Sequence, residues 1–132
     1  MGARVECILS DPPDWESFYD RCGEDEPIEQ IVSLVRVLQE DPAFKIILCS
    51  GRIESCRNVT QAWMDDHSIY PEEILLRKNN DNRHDIIVKP EMLLDAGIST
   101  EQIAFVIEDR NSMVKKWREM GLVCLQPAEG DF

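Results

Sequence analysis

Residues 105–126 read FVIEDRNSMVKKWREMGLVCLQ, a strand, a helix and a second strand in succession. The apolar run 103–107 has strand length and ends in an acid pair, Glu108 and Asp109. Beyond it Met113 or Val114, Trp117 and Met120 recur at helical spacing. Asn111 or Ser112 stands where a cap belongs, and Gly121 where a helix stops. A second apolar run, 122–126, follows at once. Strands joined through a crossover helix lie parallel, and a parallel sheet needs helices over its faces.

The same alternation extends upstream. Apolar runs at 5–9, 45–49 and 74–77 read as three further strands. Ile28, Ile31, Val32, Val35 and Leu38 form a helical stripe that ends before Pro42. A second helix is predicted near 55–66, burying Val59, Ala62 and Trp63, and a third starts at Asp85 with Ile86, Val88, Met92 and Leu93. The chain therefore reads as an α/β domain over 1–132, a five-stranded, mainly parallel sheet with helices on both faces. NNDNRH at 79–84 is the most loop-like stretch, and 128–132 reads as a short tail. Sheets of this kind bind ligands at the carboxyl ends of their strands.

Composition narrows the ligand. A net charge of −12 argues against a surface that coats nucleic acid, so any such contact is local, an end or a single nucleotide. No apolar run reaches membrane-spanning length and residues 1–20 carry no basic-then-apolar signal, which reads as cytoplasmic. The five cysteines include no CxxC pair, and His67 and His84 are isolated, so neither zinc nor a disulfide framework is expected. Cys7, Cys49 and Cys124 fall in apolar runs as small buried side chains, whereas Cys22 and Cys56 have more polar neighbours.

Each strand end admits two readings. Ser50-Gly51-Arg52 is either a phosphate cradle of hydroxyl, backbone N–H and guanidinium, or a plain strand-to-helix turn. Asp85 and Lys89, four apart on one helix face, are either an oriented lysine that neutralises an anion, or an N-cap beside a solvated lysine. Glu108 and Asp109 either hold Mg²⁺ or form a solvated loop pair beside Arg110. Trp15, Phe18 and Tyr19 could stack a base or pack a short helix on the core, and Arg77, Lys78 and Arg83 form a basic patch or a solvated loop.

Taken together, these strand ends resemble the haloacid dehalogenase (HAD) superfamily, in particular the 3′-phosphatase domain of phage polynucleotide kinases and its stand-alone phage relatives. ILCSGR (47–52) resembles the second motif, DIIVK (85–89) the third, and FVIEDRNSMVKKWREMGLVCLQPAEGDF (105–132) the fourth motif and C-terminal segment. DPPDWESFYDRCGEDEPIEQIVSLVRVL (11–38) resembles the approach to the first helix. The resemblance implies a Rossmann-like HAD fold, and a host-cell cytoplasm if the chain is phage-encoded. It makes Ser50, Gly51, Arg52 and Lys89 phosphate ligands, Asp85 the partner that orients Lys89, and Glu108 and Asp109 the Mg²⁺ carboxylates. Glu108 is longer than the aspartate usual there. Arg77, Arg83 and Trp15 are weaker substrate contacts.

One part of the pattern is missing. The family's first strand ends in Asp-x-Asp-Gly-Thr, which supplies the nucleophile and the general acid, and this motif occurs nowhere in the chain. Asp11 is the one carboxylate soon after strand 5–9, and two residues on stands Pro13, which cannot carry a proton. Asp11 is thus either a nucleophile or a turn former before proline. The cap hairpin that follows the motif is reduced or absent. The expected function is a degenerate HAD phosphatase that binds a nucleotide or nucleic-acid-end phosphate with Mg²⁺ and hydrolyses it little or not at all. The alternatives are an active 3′-phosphatase using Asp11, and a protein-interaction module on the same scaffold. No GxxxxGK[ST] loop is present, so no kinase half is expected.

Overall fold

A computed structural model describes residues 5–9 and 29–131. Asp11, Trp15, Phe18, Tyr19, Cys22 and the segment where a cap hairpin would stand lie outside the described residues. The elements are β1 (Val5–Leu9), α1 (Glu29–Gln39), β2 (Phe44–Ile53), α2 (Arg57–Asp66), β3 (Glu73–Arg77), α3 (Asp85–Asp95), β4 (Ile103–Ile107), α4 (Asn111–Glu119) and β5 (Cys124–Leu125). The strands lie in the order β3-β2-β1-β4-β5, each neighbouring pair parallel. β1 is central, with Leu9 opposite Leu48 on one side and Ile107 on the other.

Burial follows the pleat. Successive residues of β2 point to opposite faces, so Ile47 and Cys49 join α3 and α4 in a core with Leu93, Met113 and Trp117. Ile46 and Leu48 join Val32, Val35 and Met64 on the other face. Both faces are covered, which is why β2 is buried almost throughout rather than alternately. No helix among the described residues is long and apolar enough to cross a membrane.

Several boundaries differ from the sequence reading. β2 runs on to Ile53, with a register shift against β3 after Cys49, so Ser50, Gly51 and Arg52 are strand residues and not a turn. A 3-10 turn (Glu54–Cys56) separates β2 from α2, and Cys56 is buried beside Ile53 despite its polar sequence neighbours. Thr60 and Met64 are buried, whereas Val59 and Ala62 are exposed and Trp63 is half-buried.

β5 is confined to Cys124–Leu125, shorter than the predicted 122–126. Asn111 and Ser112 do not cap α4: the N-cap is Arg110, with no side-chain bond, which forgoes about 1 kcal/mol. The helix stops where Gly121 was expected to stop it. Gly121, at φ +87°, sends its N–H to Arg118 O while Leu122 N reaches Trp117 O, a paired cap that needs the left-handed conformation. Residues 128–131 are not a loose tail, since Gly130 is buried and bridges to Arg110 in parallel.

Candidate functional site

The carboxyl edge of the sheet gathers residues from β2, α3 and the β4–α4 junction. On β2, Ser50 is fully buried and Arg52 nearly so. Ser50 Oγ accepts the Arg52 N–H at 3.0 Å, and Arg52 Nη1 donates to Thr60 Oγ1 of α2 at 3.0 Å. The contact with Arg52 accounts for a buried threonine on a face where the sequence suggested valine. Gly51 offers its carbonyl, which accepts from Arg77 Nε at 2.7 Å.

α3 brings Asp85 and Lys89 to the same edge, each 2% exposed. Asp85 is not the N-cap. That position belongs to His84, whose Nδ1 accepts the Ile86 N–H at 3.1 Å. The Asp85 carboxylate instead meets Arg77 through Oδ1 and Arg110 Nη1 through Oδ2 at 3.0 Å. Lys89 is not solvated. Its Nζ lies 3.2 Å from Glu108 Oε1 and 3.8 Å from Asp85 Oδ2. Glu108 lies within hydrogen-bond distance of Lys89 Nζ, and Asp85 acts on it through space.

The acid pair at the end of β4 is divided by depth. Glu108 is 1% exposed, and its carboxylate turns inward, accepting from Lys89, from Trp117 Nε1 at 3.2 Å and from Arg110 N at 3.3 Å. Asp109 is half-buried, and its carbonyl accepts from Gln126 Nε2 at 3.0 Å. Removing charges from water is tolerable only where each is paired and hydrogen-bonded, and this cluster meets that condition. Its described members are three cations, Arg77, Lys89 and Arg110, against two carboxylates, Asp85 and Glu108.

The basic patch of the 78–84 loop takes another form. Arg77 is turned inward, donating also to Asp81 O at 3.0 Å. Arg83 bridges Asp81 and Glu91, each at 2.8 Å, and holds both carboxyls below the usual range through these hydrogen bonds. Lys78 is exposed. A cavity of about 290 Å³ opens between this loop and Arg110.

Phosphatase domains of the HAD type generally use Mg²⁺. Among the described residues no group of three or more His, Cys, Asp or Glu side chains is placed to hold a metal ion. Glu108 is committed inward, so Asp109 is the carboxylate of the expected pair that stands at the strand end, and the described residues do not complete a magnesium site. Four residues of the site were missed in the sequence. Arg110 was read as a neighbour of the acid pair, and Thr60, Trp117 and Gln126 act through contacts that no local pattern announces.

The model of the polynucleotide kinase PNKP phosphatase domain matches residues 14–132. The chain belongs to this family. It spans less than half the length of the relatives it matches. It is 24% identical over 112 residues to a protein of Autographa californica nuclear polyhedrosis virus named a candidate bifunctional polynucleotide kinase/RNA ligase, covering 82% of this chain and 16% of that protein. Two solved structures, described as the Pnkp1/Rnl/Hen1 complex and the Pnkp1/Rnl/Hen1 RNA repair complex, superpose with TM-scores of 0.87 and 0.83 at 26% identity. They cover 98% and 97% of this chain, which spans 47% and 44% of theirs. The α/β fold of the PNKP phosphatase domain is thus the fold of this chain.

Proposed function

We propose that this chain is a degenerate PNKP-type phosphatase, a single HAD-like domain that holds a nucleotide or nucleic-acid-end phosphate and hydrolyses it little or not at all. Ser50, Gly51, Arg52 and Lys89 are the phosphate ligands, Asp85 orients Lys89, and Asp109 is the carboxylate that would contribute to a Mg²⁺ site. Magnesium, when bound, would neutralise phosphate oxygens. The observation that carries the reading is the convergence of Ser50, Arg52, Asp85 and Lys89, all buried, at the edge where parallel sheets bind ligands. The missing chemistry is read from the sequence: no Asp-x-Asp-Gly-Thr follows β1, and Pro13 stands where the acid belongs.

A second reading is active hydrolysis through Asp11, the carboxylate that follows β1 soonest in the sequence. General acid–base help contributes about 10²–10⁴-fold, so a nucleophile lacking its acid would turn over slowly. A protein partner also belongs to the proposal, since the two solved neighbours are described as parts of a multi-component complex.

The test is Mg²⁺-dependent phosphate release from a 3′-phosphorylated oligonucleotide and a nucleotide, with wild type beside Asp11→Asn, together with binding of the same oligonucleotide. Binding without release supports the first reading. Release that Asp11→Asn abolishes establishes the second. Neither binding nor release leaves the interaction module.

A further inference from the structure

Segment 126–130 returns across the carboxyl edge and takes hold of three consecutive residues. Gln126 Nε2 donates to Asp109 O at 3.0 Å and to Asn111 Oδ1 at 2.7 Å. Asn111 Oδ1 also accepts the Gly130 N–H at 3.1 Å, and Asn111 N donates to Gly130 O at 2.7 Å. Arg110, between them, bridges to Gly130 through its backbone. Both amide hydrogens of Gln126 and both lone pairs of Asn111 Oδ1 are thereby used, which fixes direction as well as distance.

These contacts displace a local preference. An asparagine at the start of a helix ordinarily caps it, and here the side chain of Asn111 serves the strap while α4 goes without a side-chain cap. Departures from local preference concentrate where geometry matters for function. What the strap holds is the link between the acid pair and the buried cations. Arg110 carries its guanidinium to Asp85 Oδ2, the oxygen that also faces Lys89 Nζ.

We infer that Gln126 and Asn111 are positioning residues for the anion site. Through the 126–130 strap they hold Asp109 and Arg110 in register with Asp85 and Lys89. This rests on the phosphate-binding reading above. Neither residue touches the ligand, and their effect passes through the orientation of the 109–111 backbone.

The test compares wild type, Gln126→Met, Asn111→Leu and, as a control on the exposed face of α4, Lys115→Gln. Calorimetry measures affinity for inorganic phosphate in Mg²⁺ buffer, and amide hydrogen exchange is followed in the same samples. Gln126→Met and Asn111→Leu are expected to bind phosphate roughly two- to tenfold more weakly, the scale of one lost hydrogen bond. Exchange should quicken at Asn111 and Gly130 while β2 is unchanged, and Lys115→Gln should match wild type.

Equal phosphate affinity in wild type and both strap variants overturns the inference and leaves the functional reading standing. Wild type that binds no phosphate overturns the functional reading. The inference rests on that reading and falls with it, so the two failures are told apart by whether wild type binds phosphate.

Discussion

Lys89→Met isolates the electrostatics of the buried cluster. Methionine keeps most of the length and apolar volume of lysine, so the principal loss is the ammonium group. Lys89 and Glu108 have side-chain exposures of 2% and 0% and lie 3.2 Å apart. Glu108 would keep its contacts with Trp117 Nε1 and Arg110 N, both neutral donors, and would lose its partner of opposite charge. Removing one member of a buried pair costs about 3–5 kcal/mol. For a chain of this size that is a fall in Tm of about 10–20 °C. Urea unfolding of wild type, Lys89→Met, Glu108→Gln and the double variant completes a cycle.

Glu108→Gln in the Lys89→Met background removes the stranded charge and is expected to recover about 2–3 kcal/mol of the loss. Phosphate affinity should stay low in the double variant, because stability returns without the cation. A cost below about 1 kcal/mol for Lys89→Met would be the value of a surface pair. That outcome would refute the burial of this contact and the charge argument built on it.

Thr60→Val is nearly isosteric and removes one acceptor of a buried guanidinium, so urea unfolding should register a loss of about 1 kcal/mol. The rotated face of α2 predicts that Met64→Ala costs about 2–5 kcal/mol while Val59→Gln stays within about 0.5 kcal/mol; the reverse order would restore the face first read from the sequence. Burial and the Glu108 charge push the Cys124 thiol up to about 11. Iodoacetamide at pH 8 should therefore leave it intact in the folded protein and modify it once urea unfolds the chain.

The fold was legible because its signals are local. Strand 103–107 was read at its observed bounds, and 74–77 fell one residue short of β3. The stop at Gly121 could be read because a left-handed cap asks for glycine at a single position. α2 was misread for a reason the sequence could not supply. Its buried face is set by Arg52, eight residues away, whose guanidinium needs an acceptor that valine lacks. β2 was cut short at Cys49 because polar Ser50 and Arg52 look like the end of a strand until burial on both faces is known.

The candidate site divides along the same line. The sequence by itself determined which residue types stand at the strand ends: the hydroxyl of Ser50, the guanidinium of Arg52, the acid–lysine pair of α3 and the two carboxylates after β4. It also determined that the first motif is lacking, since that is a matter of composition within a few positions. Only the tertiary structure decided which charge meets which. Glu108 finds Lys89 across 19 residues, and Arg110 finds Asp85 across 25. Coulomb energy depends on distance and on the surrounding medium, and both are set by packing between elements rather than by sequence spacing. For the same reason residues that read as a tail became a strap: Gly130 has no side chain to signal its role, and its backbone bonds exist only because the sheet brings Asn111 beside it.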